Sequence, residues 1–142
     1  MINYTYPAMI ALLFLLGASL ASFLNVVVLR IPQMRKRMTW QGRRVTLSHP
    51  PSRCMSCETT LKWYDNIPVL GWLKLKGKCR SCGMPFSFLY AGYELAGGIV
   101  FITPLVTIGL STYSVILGGA GLVVLYVPAF WRSVRSCRSF EG

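Results

Sequence analysis

Residues 8–29 read AMIALLFLLGASLASFLNVVVL, with no charge and only Ser19, Ser22 and Asn25 as polar members. About 20 mostly apolar residues suffice to cross the hydrocarbon core of a bilayer, so this run predicts a membrane-spanning helix. A cleaved signal peptide has a similar apolar body, but it needs a basic start. Nothing before Arg30 is basic, and the run is read as an uncleaved span.

Outward from this run, the charge is sharply partitioned. The chain has 142 residues, 15 Lys and Arg against 4 Asp and Glu, and a net charge of +11. All but three of the basic residues lie between Arg30 and Arg80, the others being Arg132, Arg135 and Arg138. Residues 81–131 carry one charge, Glu94. Two further apolar runs, Leu89–Leu110 and Ser114–Phe130, read as spans separated by a short turn. Pro104 and Gly97-Gly98 lower helix propensity, but membrane helices tolerate both residue types.

Basic residues collect on the cytoplasmic side of a membrane. Three spans place the segment 30–88 and the tail on that side and the N-terminus outside. The expected architecture is an α-helical membrane protein with about three transmembrane helices and a small cytoplasmic zinc-ribbon-like loop. Its parts are a first span (1–30), a basic loop (31–88), two further spans (89–131) and a polar basic tail (132–142). The cluster Arg35-Lys36-Arg37 with Arg43-Arg44 suits phosphates. Directly after a span, however, anionic lipid headgroups are the expected partner, and nucleic acid is not.

The loop carries two Cys-x-x-Cys pairs, Cys54/Cys57 and Cys79/Cys82. This spacing suits a four-thiolate zinc site. Structural disulfides and a redox dithiol are the alternatives, and a reducing cytoplasm favours the metal. His49, the lone histidine, is surplus to a four-cysteine shell and is left out of the site. Between the pairs, Leu61–Leu73 mixes apolar bulk with Asp65-Asn66. Either Trp63, Ile67, Leu70 and Trp72 pack the ribbon onto the membrane interface, or Asp65 and Asn66 line a site. Glu94 is notable because a carboxylate inside an apolar run needs a partner, a cavity or a proton path. Water or a loop lysine would also satisfy it. Cys137 has no partner pair and is assigned no role.

At these residues the chain resembles the amino-terminal part of the bacterial prepilin peptidases, from about Gly17 to Gly98. The resemblance rests on five motifs in order. They are Ser22-Phe23-Leu24-Asn25-Val26-Val27, Ser52-Arg53-Cys54 with Cys57, Trp63-Tyr64-Asp65-Asn66-Ile67-Pro68-Val69-Leu70, Gly77-Lys78-Cys79-Arg80 with Cys82-Gly83, and Tyr90 with Glu94-Leu95.

The resemblance implies a multi-pass enzyme of the bacterial inner membrane. It would cleave the leader peptides of type IV prepilins or type II secretion pseudopilins and N-methylate the new terminus with S-adenosylmethionine. It associates the cysteine-bearing loop with methyl transfer, and there Glu94, Lys78 and Asp65 are the candidate catalytic residues. Ala21, Gly71 and Ala91 are mild departures from the family's usual Gly, Ser and Pro.

A larger departure concerns proteolysis. The family is an aspartic-type endopeptidase with two aspartates in later spans, whereas this sequence has one Asp, Asp65. Where the first catalytic Asp is expected, the sequence reads Phe130-Trp131-Arg132-Ser133-Val134-Arg135. The expectation is a truncated or frameshifted family member that keeps the zinc/methyltransferase-like region without peptidase activity of its own. The competing functions are a non-enzymatic membrane zinc-ribbon protein that binds a pilus or secretion partner, and a membrane dithiol redox protein.

Overall fold

A computed structural model describes the backbone of residues 5–138 and the side chains of residues 7–132. The helices are α1 (Thr5–Arg35), a short α2 (Leu70–Lys74), α3 (Phe88–Ile108) and α4 (Thr112–Arg138). Two-residue strands β1 (Thr39–Trp40) and β2 (Arg43–Arg44) pair antiparallel just after α1, and a 3-10 turn covers Trp63–Asp65. Three of the helices are long and apolar enough to cross a membrane, and the chain is a mostly helical membrane protein.

Local chemistry sets the ends of these elements. Uncharged until Arg30, α1 runs on through Pro32 to Arg35. Arg30 then ties the helix to the loop, its guanidinium donating to the carbonyls of Thr46 (2.9 Å), Leu47 (3.0 Å) and Pro50. Gln41 and Gly42, both at positive φ, make the tight turn between β1 and β2 in the manner of a two-residue hairpin. Ser87 caps α3 by accepting the Leu89 N–H. Beyond Gly109, at φ 91°, Ser111 and Ser114 exchange backbone-to-hydroxyl bonds of 2.9 and 3.2 Å at the start of α4.

The third apolar run is longer as a helix than as a sequence pattern, because α4 continues to Arg138. Side chains beyond Arg132, with Cys137 and most of the expected basic tail, lie outside the described residues.

Lipid is as apolar as leucine, so membrane helices hold together by close packing and buried polar contacts. Small residues supply the first. Ala18 and Ala21 of α1 are fully buried, and Gly97 and Gly98 of α3 are buried. A Cβ on Gly97 would collide with the Ala21 side chain, and one on Gly118 would lie 2.7 Å from the Phe101 carbonyl. Phe101, Leu105, Leu122 and Tyr126 fill the space between the helices. Tyr126 supplies the polar contact, donating its hydroxyl to the Ala21 carbonyl at 2.8 Å. The bundle therefore presents a fixed end of α3, and the cysteine-bearing loop folds against it.

Candidate metal centre

Both cysteine pairs sit in turns of one build. In the first, the Cys54 N–H bonds the Thr59 carbonyl (3.0 Å) and the Glu58 N–H returns to the Cys54 carbonyl (3.1 Å). In the second, Cys79 bonds Met84 (2.8 Å) and Gly83 returns to Cys79 (3.0 Å). Single antiparallel bridges, Arg53 with Thr60 and Lys78 with Pro85, close the two turns. The Ser56 and Ser81 amides each point at a cysteine sulfur, Cys54 and Cys79, at 3.4 Å. These amide bonds stabilise thiolate charge.

Each turn needs a positive φ directly after its second cysteine, 54° at Glu58 and 71° at Gly83. Glycine adopts this freely, whereas a side chain is strained there by about 1 kcal/mol or more. Glu58→Gly is therefore expected to stabilise the loop by up to about 1 kcal/mol, and Gly83→Ala to destabilise it by a similar amount. Thermal unfolding of the metal-loaded protein checks both.

The two turns face each other. Cys54 Sγ lies 3.7 Å from Cys82 Sγ, and Cys57 Sγ lies 3.8 Å from Cys79 Sγ. All four sulfurs fall within 4.8 Å of one another, and none is in a disulfide. A tetrahedron with zinc–sulfur bonds of about 2.3 Å has sulfur–sulfur edges of about 3.8 Å. A disulfide would need about 2.05 Å. The cluster fits a metal ion such as zinc.

Without a cation, Cys57, Cys79 and Cys82 are pushed in different directions. The Thr59 hydroxyl and backbone lower Cys57 to about 6, and the Cys82 and Ser81 amides lower Cys79. Cys82 feels a lowering bond from the Met84 backbone, but burial and the three neighbouring sulfurs push it up to about 11. Four sulfurs this close resist carrying four negative charges unless a cation sits among them.

Asp65, a candidate catalytic residue, is held in an ion pair with Arg80. Its side chain is only 2% exposed and receives the Arg80 guanidinium through two bonds, 3.1 Å to Oδ2 and 2.5 Å to Oδ1. Lys74 stands 4.0 Å away, and its ammonium also lies over the Tyr64 ring. The Arg80 bonds hold the Asp65 carboxyl below the usual carboxylate range. A lowered folded pKa means that the pair's contribution is complete at neutral pH and is lost as pH falls through that folded value. Asp65→Asn keeps the shape and loses the charge. Trypsin is then expected to cut after Lys62 and Lys74 several-fold faster, a change that timed proteolysis would show.

The second anchor joins the loop to α3. Val69 stands at φ 60° and ψ −51°, and the Leu70 N–H bonds the Pro68 carbonyl at 2.6 Å. This is a γ-turn of the rare positive-φ kind, strained for a β-branched residue. The turn aims the Val69 N–H at Glu94 Oε2, 2.8 Å away. Glu94 thus has a backbone amide as partner. Gly71 is buried against the Asp65 carbonyl, where a Cβ would collide. Gly77, at φ 67°, makes room for the Trp72 ring, which meets Phe88 edge-on at 5.3 Å between centroids.

Lys78 is exposed at the edge of the second turn, its N–H bonded to the Leu75 carbonyl. The structure gathers the four cysteines into one cluster, but Asp65, Lys78 and Glu94 each hold separate local contacts. His49 stacks near Trp40 at 5.6 Å and takes no part in the sulfur cluster. Sequence reasoning missed Arg80 as the partner of Asp65 and the Val69 amide as the partner of Glu94. The one available signal was a single Asp inside a strongly basic segment.

A multi-span membrane protein carrying a four-cysteine ribbon on the end of its second long apolar helix is the class that fold and site define. Within that class, the chain belongs to the family described as the Bacterial Peptidase A24 N-terminal domain, which matches residues 15–108. It is 39% identical over 126 residues to the prepilin leader peptidase/N-methyltransferase of Myxococcus xanthus, covering 89% of this chain and 34% of that protein. The Klebsiella pneumoniae protein of the same description is 44% identical over 90 residues, covering 63% and 38%. The type 4 prepilin-like proteins leader peptide-processing enzyme of Escherichia coli is 39% identical over 106 residues, covering 68% and 39%. The chain thus spans between 34% and 39% of the length of these relatives. No solved structure matches it.

Proposed function

We propose that these residues form the zinc-bearing, methyl-transfer part of a prepilin leader peptidase/N-methyltransferase in the bacterial inner membrane. The observation that carries this reading is the family match over residues 15–108, which takes in the whole four-sulfur cluster and its seat on α3. The basic residues between Arg30 and Arg80 favour a cytoplasmic position for the module, facing the leader peptides of prepilins or pseudopilins.

Cys54, Cys57, Cys79 and Cys82 would hold zinc as a closed, four-ligand site. Such a site leaves no open position for substrate and acts by fixing the fold. Its role is to hold Arg80 and the following residues in place, so that Asp65 positions the turn that reaches Glu94. Lys78 and Glu94 remain the candidates for holding the reacting amine or the methyl donor. S-adenosylmethionine, the donor that the resemblance implies, would supply an electrophilic methyl group.

Cleavage by the two-aspartate route needs one acid and one base sharing a water. The single Asp of these residues is engaged by Arg80. The purified 142-residue chain is therefore expected not to cleave a prepilin leader. Cleavage that persisted in Asp65→Asn would contradict this.

The family reading is tested by grafting residues 15–108 into the Klebsiella pneumoniae relative and measuring both leader removal and methylation of a prepilin. A graft that retains both supports the proposal. One that binds zinc and cleaves but no longer methylates favours the non-enzymatic ribbon.

A further inference from the structure

We infer that α2 is a membrane-immersed element whose Leu70 and Leu73 contact the acyl chains of the bilayer rather than cytoplasmic water. The inference rests on the reading of α1, α3 and α4 as spans, and not on any catalytic role.

The depth follows from one hydrogen bond. With 21 residues, α3 is about 31 Å long at 1.5 Å per residue, which matches a hydrocarbon core of about 30 Å. Glu94 lies six residues beyond Phe88, about 9 Å along the axis. The Val69 amide meets the Glu94 carboxylate at 2.8 Å, and helical side chains lean toward the N-terminal end, so the turn leading into α2 lies between the levels of Phe88 and Glu94. Placing the membrane boundary at Glu94 instead would leave Leu95–Ile108 to span only about 21 Å, well short of the core. The ribbon therefore dips beside the first two turns of α3, and the Trp72–Phe88 ring contact holds it there.

At that depth the exposed side chains are apolar. Leu70 is 54% exposed and Leu73 is 56%, while Trp72 and Gly71 on the same short helix turn toward the module. Phe88 and Leu89, exposed on the first turn of α3 at 59% and 66%, continue the same surface onto a span that lipid must surround. Of the basic residues that follow, Lys74 turns to Asp65 and the Tyr64 ring, and Lys76 is exposed, with a long stem that can carry its charge back to the headgroups. The partner of this surface is thus lipid, continuous with the lipid around α3. The Val69–Glu94 bond fits the same picture, since a carboxylate at this depth needs a fixed donor.

The test uses the full chain in phosphatidylethanolamine–phosphatidylglycerol vesicles. The photoreactive residue p-benzoylphenylalanine replaces Leu70 or Leu73, with Ser56, exposed on the first cysteine turn, as the comparison site. Mass spectrometry after irradiation reads phospholipid adducts, on protein that retains the metal content of the unsubstituted chain. Adducts at 70 and 73 are expected to exceed those at 56 by about fivefold or more. Yields equal to those at 56 would place α2 in water and overturn the inference. Cross-links to a second copy or to an added leader peptide in place of lipid would overturn it as well. If one leucine variant loses its metal, the other decides.

Discussion

Cys54→Ser is expected to reduce bound metal from one equivalent per chain to less than about a tenth, because three thiolates and a hydroxyl close the tetrahedron poorly. Cys54 is only 1% exposed, and its sulfur sits 3.7 Å from Cys82. The module between the cysteine pairs has few buried side chains of its own. Structural zinc contributes apparent free energies of about 10–16 kcal/mol in small zinc modules, far more than this loop obtains from packing. The variant should therefore lose the loop fold along with the metal. The three long helices should persist, because their core of Ala21, Phe101, Leu122 and Tyr126 lies apart from the cysteines. Helical content by circular dichroism and metal content by elemental analysis separate these outcomes. Retained metal in Cys54→Ser would show that the sulfur cluster is not the site.

Gly97→Val is the second large effect, and it acts on the bundle rather than the loop. The new side chain would start on top of the Ala21 Cβ, with Leu122 Cδ2 only 3.2 Å away. Overpacking of this kind costs about 1–3 kcal/mol even where neighbours can shift. Here the obstacle is a Cβ fixed to the facing helix. Gly98 differs, since the atoms in its way belong to the Phe14 ring, which can rotate aside. Gly119→Val is the control, because nothing lies within 4 Å of that position. Denaturant titration in mild detergent should show Gly97→Val far weaker than the parent, Gly98→Val intermediate and Gly119→Val close to the parent. Equal stability of the Gly97 and Gly119 variants would contradict the packing described for α1 and α3.

The features legible in the sequence were those set by composition and spacing. Apolar runs of spanning length marked the three long helices. The two Cys-x-x-Cys pairs marked a thiolate cluster, and the structure adds the tetrahedral edges of 3.7 and 3.8 Å. The hidden features depend on backbone groups or on distant pairing. Glu94 was visible as an isolated carboxylate, but its partner is the amide of Val69, presented by a strained turn that no residue preference announces. Arg80 read as a neighbour of its cysteines, yet its guanidinium crosses to Asp65, fifteen residues back. Gly97 read as a weak point for the helix, and its real use is close approach of α1. Gly71 and Gly77 also matter through what they leave room for: the Asp65 carbonyl and the Trp72 ring.

The central claim, that Cys54, Cys57, Cys79 and Cys82 hold one zinc ion and thereby organise the loop on α3, is tested most directly by zinc K-edge X-ray absorption on purified, membrane-reconstituted protein. One zinc per chain with four sulfur neighbours at about 2.3 Å is the predicted result. A shell containing nitrogen or oxygen, or a metal-free protein whose cysteines are joined as disulfides, would contradict it.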